Sequence, residues 1–219
     1  MINRCLKVLF FGLLVKPTVL LALGLNVFFR EKLPKQGPAL VLANHNSHLD
    51  TMVLMSLYPL SQIHKVRPVA AADYFLKNKL IAWFSLSIIG IIPLQRGRIR
   101  DKDALFEECH AALDNGDILV LFPEGSRGNP EELSTLKRGV HHLIQDRPNL
   151  NVIPVMMHGL GRALPKGEAL LVPFNCDVVI GDNIPYDDNS KAYINSISLS
   201  LNTLLELCMT RQTVVDDEY

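Results

Sequence analysis

The sequence lacks several features that would narrow its chemistry at once. Its 219 residues carry 22 basic and 22 acidic side chains, so the formal charge is zero and no bulk field draws the chain to nucleic acid. The four cysteines, Cys5, Cys109, Cys176 and Cys208, are scattered and form no CxxC pair. That spacing fits free thiols in a reducing compartment better than a disulfide framework or a zinc site. There is no Walker loop, no GxGxxG fingerprint and no GxSxG elbow, so Ser47 and Ser126 lack the setting of a hydrolase nucleophile. Internal repeats and low-complexity tracts are absent, and the length fits one medium domain with a substantial core.

Also missing is the unbroken apolar run of about 20 residues that a spanning helix needs. Residues 8–15 and 18–29 are almost purely apolar, but Lys16-Pro17 divides them; Arg4 and Lys7 precede them, and Arg30, Lys32 and Lys35 follow. A signal peptide ending near Ala22-Leu23-Gly24, one kinked spanning helix, and a two-helix element dipping into one leaflet all fit this pattern. The lysine inside the run and the scattered cysteines argue against cleavage, and the basic flanks favour the leaflet element. Residues 1–33 therefore read as a membrane-associating helical element and 34–219 as an α/β domain.

What is present organises itself around residues 39–50. Ala39-Leu40-Val41-Leu42-Ala43 is a short apolar run with the character of a buried strand, and it breaks abruptly into Asn44-His45-Asn46-Ser47-His48-Leu49-Asp50. Further strands are expected at 65–71, 90–94, 117–122 and 151–157, with a terminal hairpin of 169–172 and 176–180 joined through Pro173-Phe174-Asn175. Helices are expected at about 74–89 with Asp73 as its cap, 101–115, 137–145 and 191–210. The 74–89 segment is unusually apolar and aromatic, which suits a core helix and also a hydrophobic groove or bilayer surface. Strands alternating with helices of this length imply a mostly parallel sheet flanked by helices.

Three of the expected strands, 39–43, 91–94 and 118–122, run into polar or basic clusters. If they are parallel, these clusters surround one crevice at the carboxyl edge of the sheet, where open α/β folds place their ligands. His45 and Asp50 supply a base and the carboxylate that would fix its tautomer. Arg96, Arg98 and Arg127 are able to hold a phosphate, and Gly125 and Gly128 allow close approach of backbone to a ligand. Taken singly, each residue has a plainer reading: Asp50 as a charge favoured at a helix start, Glu124 as a turn cap, the arginines as solvated surface, or His45, His48 and Asp50 as metal ligands without distant partners. Their joint occurrence at strand ends favours a substrate hydroxyl activated by His45 beside a gripped phosphate.

These residues carry a resemblance. The run from Asn44 to Asp50, with its histidine, four intervening residues and aspartate, is similar to the first sequence block of the glycerolipid acyltransferases, in particular the bacterial 1-acylglycerol-3-phosphate acyltransferase family. Phe122-Pro123-Glu124-Gly125-Ser126-Arg127-Gly128 matches the third block in full. Residues 90–96 resemble the second block, except that Pro93 stands where an aromatic residue is common, and Val152-Ile153-Pro154-Val155 resembles the fourth. The resemblance implies His45 as general base, Asp50 as its partner, and Arg96, Glu124, Gly125, Ser126 and Arg127 as a glycerol-phosphate pocket. Pro154 would shape the site near the acyl donor, and Lys137 matches a basic position after the third block.

The implied reaction moves an acyl group from a thioester, on coenzyme A or acyl carrier protein, to the 2-hydroxyl of a lysophosphatidate. No metal, and no cofactor beyond that thioester co-substrate, is expected. Backbone amides near the first block are the candidate oxyanion donors. The implied location is membrane-associated, on the cytoplasmic face of a bacterial inner membrane. Acylation of glycerol 3-phosphate or another lysolipid, a thioesterase, and a non-catalytic lipid-binding protein are the competing readings.

Overall fold

The computed structural model describes residues 2–47, 49–76, 78–95, 102–128, 132–163 and 174–212. The chain opens with helix α1 (Ile2–Phe10), continues through a π-helical segment (Phe11–Val15) into α2 (Lys16–Ala22), and then turns into strand β1 (Leu23–Phe28). The second apolar run, expected to stay helical, thus changes state at Leu23. The reason lies outside the run: β1 pairs in parallel with β7 (Phe174–Ile180), so its backbone groups are satisfied by a strand some 150 residues away.

The remaining strands are β2 (Ala39–Ala43), β3 (Val66–Ala71), β4 (Ile92–Leu94), β5 (Ile118–Leu121) and β6 (Asn151–His158). They form a seven-stranded sheet in the order β1-β7-β6-β2-β5-β3-β4. Strands β2 to β6 share one direction; β7 runs antiparallel to β6, and β1 follows β7. Strand β2 is central and wholly buried, which is why its sequence reads as a continuous apolar run without alternation. Its two faces feed two cores. Ala39, Val41 and Ala43 pack with Phe11, Val15 and Val53, while Leu40 and Leu42 pack with Leu113, Leu143 and Ile197.

Helices α3 (Asp50–Ser56), α6 (Lys102–Asp114), α7 (Gly139–Ile144) and α9 (Ser190–Glu206) connect or cover the strands, with short helical turns α8 (Leu160–Ala163) and α10 (Met209–Gln212). Three expectations need correction. The single helix at 74–89 is instead α4 (Ala72–Phe75), α5 (Lys79–Trp83) and a π-helical segment (Phe84–Ile89). Asp73 lies inside the first turn of α4, and the working cap is Asn78, whose side chain accepts from Leu80 N and Ile81 N at the head of α5. Phe174 and Asn175, expected in a turn, belong to β7, and the proposed hairpin mate at 169–172 lies outside the described residues. The last helix is shorter than expected, α9 ending at Glu206.

The N-terminal helices are tied to the domain from one side and open on the other. Phe11, Val15 and Val19 are buried, and Phe10 meets Phe84 edge to face at 5.1 Å, joining this element to the second π-helical segment. Leu13, Leu20 and Leu21 point outward at 75%, 75% and 89% exposure, as do Leu80 at 78% and Trp83 at 53% on α5. Among the described residues no helix is long and apolar enough to cross a membrane.

Lys7 is the exception in this packing. It is buried, its Nζ donates to Val66 O at 2.8 Å, and burial, with the nearby Arg67 adding to it, lowers its pKa from 10.5 to about 7. Above that value the folded chain has released a proton that the unfolded chain still holds, so stability rises with pH until the unfolded lysine titrates too. The expected result is that unfolding free energy rises more steeply with pH in the wild type than in Lys7→Met between about pH 7 and 10.5, by up to about 1.4 kcal/mol per pH unit. The opposing titration of groups such as Cys109, whose pKa burial raises, adds to both proteins alike. Urea titrations of both proteins across that range check it, and equal slopes would refute it.

Candidate active site

Because β2, β4 and β5 are parallel, their carboxyl ends lie on one edge of the sheet, as the alternation of elements predicts. Residues 96–101 and His48 lie outside the described residues, so the placement of Arg96 and Arg98 is not part of the geometry that follows. What the structure brings together at this edge is the first and third polar clusters.

Where β2 ends, Asn44 replaces the ladder. Its side-chain amide donates to Met157 O at 2.8 Å and accepts from Met157 N at 2.7 Å, so β6 continues pairing with a side chain after β2 has left the sheet. The chain then loops over the sheet edge into α3, whose first residue is Asp50. His45 Nδ1 lies 2.9 Å from Asp50 Oδ2. That same oxygen accepts from Asn46 N at 2.7 Å and Ser47 N at 2.8 Å, so three donors converge on one carboxylate oxygen. Asp50 is 1% exposed and the His45 ring 21% exposed: the partner is sealed in and the imidazole reaches the surface. With Nδ1 turned to the carboxylate, a base at this ring acts through Nε2.

The third cluster closes on the same histidine. The His45 ring stacks on Phe122 with centroids 4.1 Å apart and planes inclined by 20°. His45 N donates to Glu124 Oε1 at 2.7 Å, and Gly128 N donates to His45 O at 3.0 Å. Glu124 is buried, and its second oxygen accepts from Ser134 N at 2.9 Å. Burial raises the Glu124 pKa, and the amide donors from His45 and Ser134 oppose that rise. Gly125 sits at φ +76°, a left-handed conformation that a side chain would strain. At Gly128 an added Cβ would come within 2.6 Å of Ser134 Oγ and 3.2 Å of Glu124 Oε2, so the bracing contacts need that position bare.

Ser126 is exposed, and Arg127, half-buried, donates from a terminal guanidinium nitrogen to Tyr74 Oη at 3.2 Å while its guanidinium lies 5.3 Å from the centre of that ring. Tyr74, expected only as part of an apolar helix, thus touches the site. Lys137 is exposed, and its main-chain N–H bonds Pro123 O at 2.7 Å. Pro154 is buried within β6 in register with Leu42, one residue before β2 ends.

Of the backbone amides near the first block, the candidate oxyanion donors, His45 N, Asn46 N and Ser47 N bond carboxylates, Leu49 N bonds Ser47 Oγ and Asp50 N bonds Ser47 O, while His48 lies outside the described residues. Sequence reasoning named Asn44 and Phe122 only as members of the first and third blocks, without these contacts, and passed over Ser134. A signal for Asn44 was visible, an amide side chain just past a buried strand; for Ser134 there was none.

A histidine oriented by a sealed carboxylate, with an arginine-bearing loop clamped around it at the carboxyl edge of a parallel sheet, is an arrangement suited to general-base chemistry. Residues 24–158 match the family model described as acyltransferase, and the chain belongs to the acyltransferase family. Among relatives, it is 28% identical over 158 residues to the chloroplastic 1-acyl-sn-glycerol-3-phosphate acyltransferase of Arabidopsis thaliana, covering 71% of this chain and 42% of that one. It is 26% identical over 155 residues to the human 1-acyl-sn-glycerol-3-phosphate acyltransferase alpha, covering 69% and 52%, and 30% identical over 176 residues to tafazzin of Drosophila melanogaster, covering 75% and 46%. The chain thus spans about half the length of the curated relatives it matches. The crystal structure of the 1-acyl-sn-glycerophosphate acyltransferase PlsC from Thermotoga maritima shares the fold, with a TM-score of 0.73, 18% identity, and coverage of 93% of this chain and 80% of that one.

Asn44 gives a direct test of how the site is held. Asn44→Leu keeps the volume but leaves Met157 N–H and C=O buried without these partners. A loss of roughly 2–5 kcal/mol of stability is expected. Denaturant unfolding reads it, and a change under about 0.5 kcal/mol would show that the amide pair is dispensable.

Proposed function

We propose that the protein transfers a fatty acyl group from an acyl thioester, on coenzyme A or acyl carrier protein, to the 2-hydroxyl of 1-acylglycerol 3-phosphate, forming phosphatidate. The observation that carries this reading is the 2.9 Å contact between His45 Nδ1 and the sealed carboxylate of Asp50, in a chain of the acyltransferase family whose relatives bear that substrate in their names.

In this reading His45 Nε2 takes the proton of the acceptor hydroxyl as the oxygen attacks the thioester carbonyl. Asp50 holds the ring and offsets the charge of the imidazolium. The tetrahedral intermediate collapses with cleavage of the carbon–sulfur bond, and the imidazolium returns its proton to the departing thiolate. Arg127, with Arg96, holds the phosphate of the acceptor. The exposed leucines of α2 and the apolar residues of α5 rest on a lipid surface, the source of an acceptor that itself carries an acyl chain.

Three outcomes check the reading. Purified protein in detergent, given acyl thioesters and lysophosphatidate, is expected to yield phosphatidate by mass spectrometry. His45→Ala is expected to lose about 10²–10⁴-fold in turnover, the range of general base catalysis; retained turnover would remove His45 from the mechanism. In an acceptor panel, glycerol 3-phosphate or a phosphate-free lysolipid outpacing lysophosphatidate would overturn the acceptor assignment, and thiol release without any acceptor would mark a thioesterase. Separately, Leu21→Glu is expected to reduce co-flotation with phospholipid vesicles severalfold, and unchanged flotation would exclude this face as the contact.

A further inference from the structure

We propose that Glu124 is a positioning residue for His45, acting through the histidine's main-chain N–H and not as a ligand of the acceptor. This inference rests on the acyl-transfer reading of the same site, and it gives the third cluster a second task beside the phosphate grip of Arg127.

The case begins with where the carboxylate is spent. Glu124 is 2% exposed, and each of its oxygens has a main-chain donor: His45 N on Oε1 and Ser134 N on Oε2. A carboxylate so occupied has little left to offer a substrate, and a phosphate beside it would meet like charge. What it can do is join two pieces of chain. His45 and Glu124 are 79 positions apart, and Ser134 lies a further ten beyond, so one side chain ties the ends of two strands to the loop that leads into α7.

The second observation is that three contacts on His45 come from the same short segment. Phe122 holds one face of the ring at 4.1 Å, Glu124 holds the N–H and Gly128 holds the C=O. Asp50 then sets the ring nitrogen. The histidine is fixed from its peptide outward, and the Cβ-sized space that Gly128 leaves empty is filled by the Ser134–Glu124 contact. A base held this way stays aligned on a hydroxyl; misplacement by about 1 Å costs on the order of 10²-fold in rate.

The position in the loop separates Glu124 from its neighbours. Ser126 is exposed and Arg127 half-exposed, whereas Glu124 points back beneath the loop toward the sheet edge. One segment therefore has an outward side for the acceptor and an inward side for the base.

The test uses the full chain purified in detergent, with Glu124→Ala and the near-isosteric Glu124→Gln compared with Arg127→Ala. Glu124→Ala is expected to lower kcat about 10²-fold while the KM for lysophosphatidate stays within about twofold. Glu124→Gln keeps one carbonyl oxygen for His45 N–H and is expected to recover part of that loss, whereas Arg127→Ala is expected to raise KM. A Glu124 variant that raises KM about tenfold at unchanged kcat would make Glu124 an acceptor ligand and overturn the proposal. Nitrogen NMR of the His45 ring supplies a readout that needs no turnover: the signal of its Asp50-bonded Nδ1 is expected to shift or broaden in Glu124→Ala and to stay closer to its wild-type position in Glu124→Gln. If wild-type protein consumes no thioester, the acyl-transfer reading fails on its own, and an unmoved His45 signal in Glu124→Ala would sink the brace independently.

Discussion

One carboxylate oxygen carries the local architecture of the site. Asp50 Oδ2 receives the His45 ring nitrogen and the amides of Asn46 and Ser47, all within 2.9 Å. A buried carboxylate without donors would be costly, and here the loop supplies them from its own main chain. The loop consequently curls around the first turn of α3, and His45 is turned outward because its Nδ1 is drawn inward. The same economy commits the main-chain amides of His45, Asn46 and Ser47 to carboxylates.

Around this centre the sheet acts as a frame with unequal sides. The central strand β2 is buried on both faces, which fixes the height at which the loop leaves the sheet, and Asn44 seals the departure by pairing with β6. At the far side β1 and β7 reverse the sheet direction, so α2 meets the sheet at the same edge where β2 ends. The exposed leucines of α2 therefore sit toward the site edge of the molecule, and α4 places Tyr74 on Arg127 while α5 leaves Leu80 and Trp83 uncovered. An apolar surface of this kind beside a polar crevice suits a substrate with a charged head and an acyl tail.

Much of the frame was legible. Strands β2, β5 and β6 read as continuous apolar runs because they are buried on both faces, and α9 announced itself by a stripe at helical spacing that includes Ile197, Leu201 and Leu204. The reading failed where composition was uniform. Residues 18–29 are almost purely apolar, so no change of composition marks Leu23 as the point where helix gives way to strand; that is set by the partner edge of β7. At residues 74–89 the polar triplet Lys77-Asn78-Lys79 did mark the break, and the reading passed over it: Asn78 caps a new helix there.

By itself the sequence determined the pairing of His45 with Asp50, because five positions across a loop-to-helix turn bring two side chains together with no help from distant chain. It also determined, through the alternation of strands and helices, that the first and third clusters share an edge. Only the tertiary structure decided that Glu124 turns to the His45 amide 79 residues away, that Asn44 closes on Met157 across 113, and that Tyr74 lies on Arg127. The physical reason is that a hydrogen bond is specified by direction and distance. Composition states how many donors and acceptors a segment carries, and the packing of the sheet decides which of them meet.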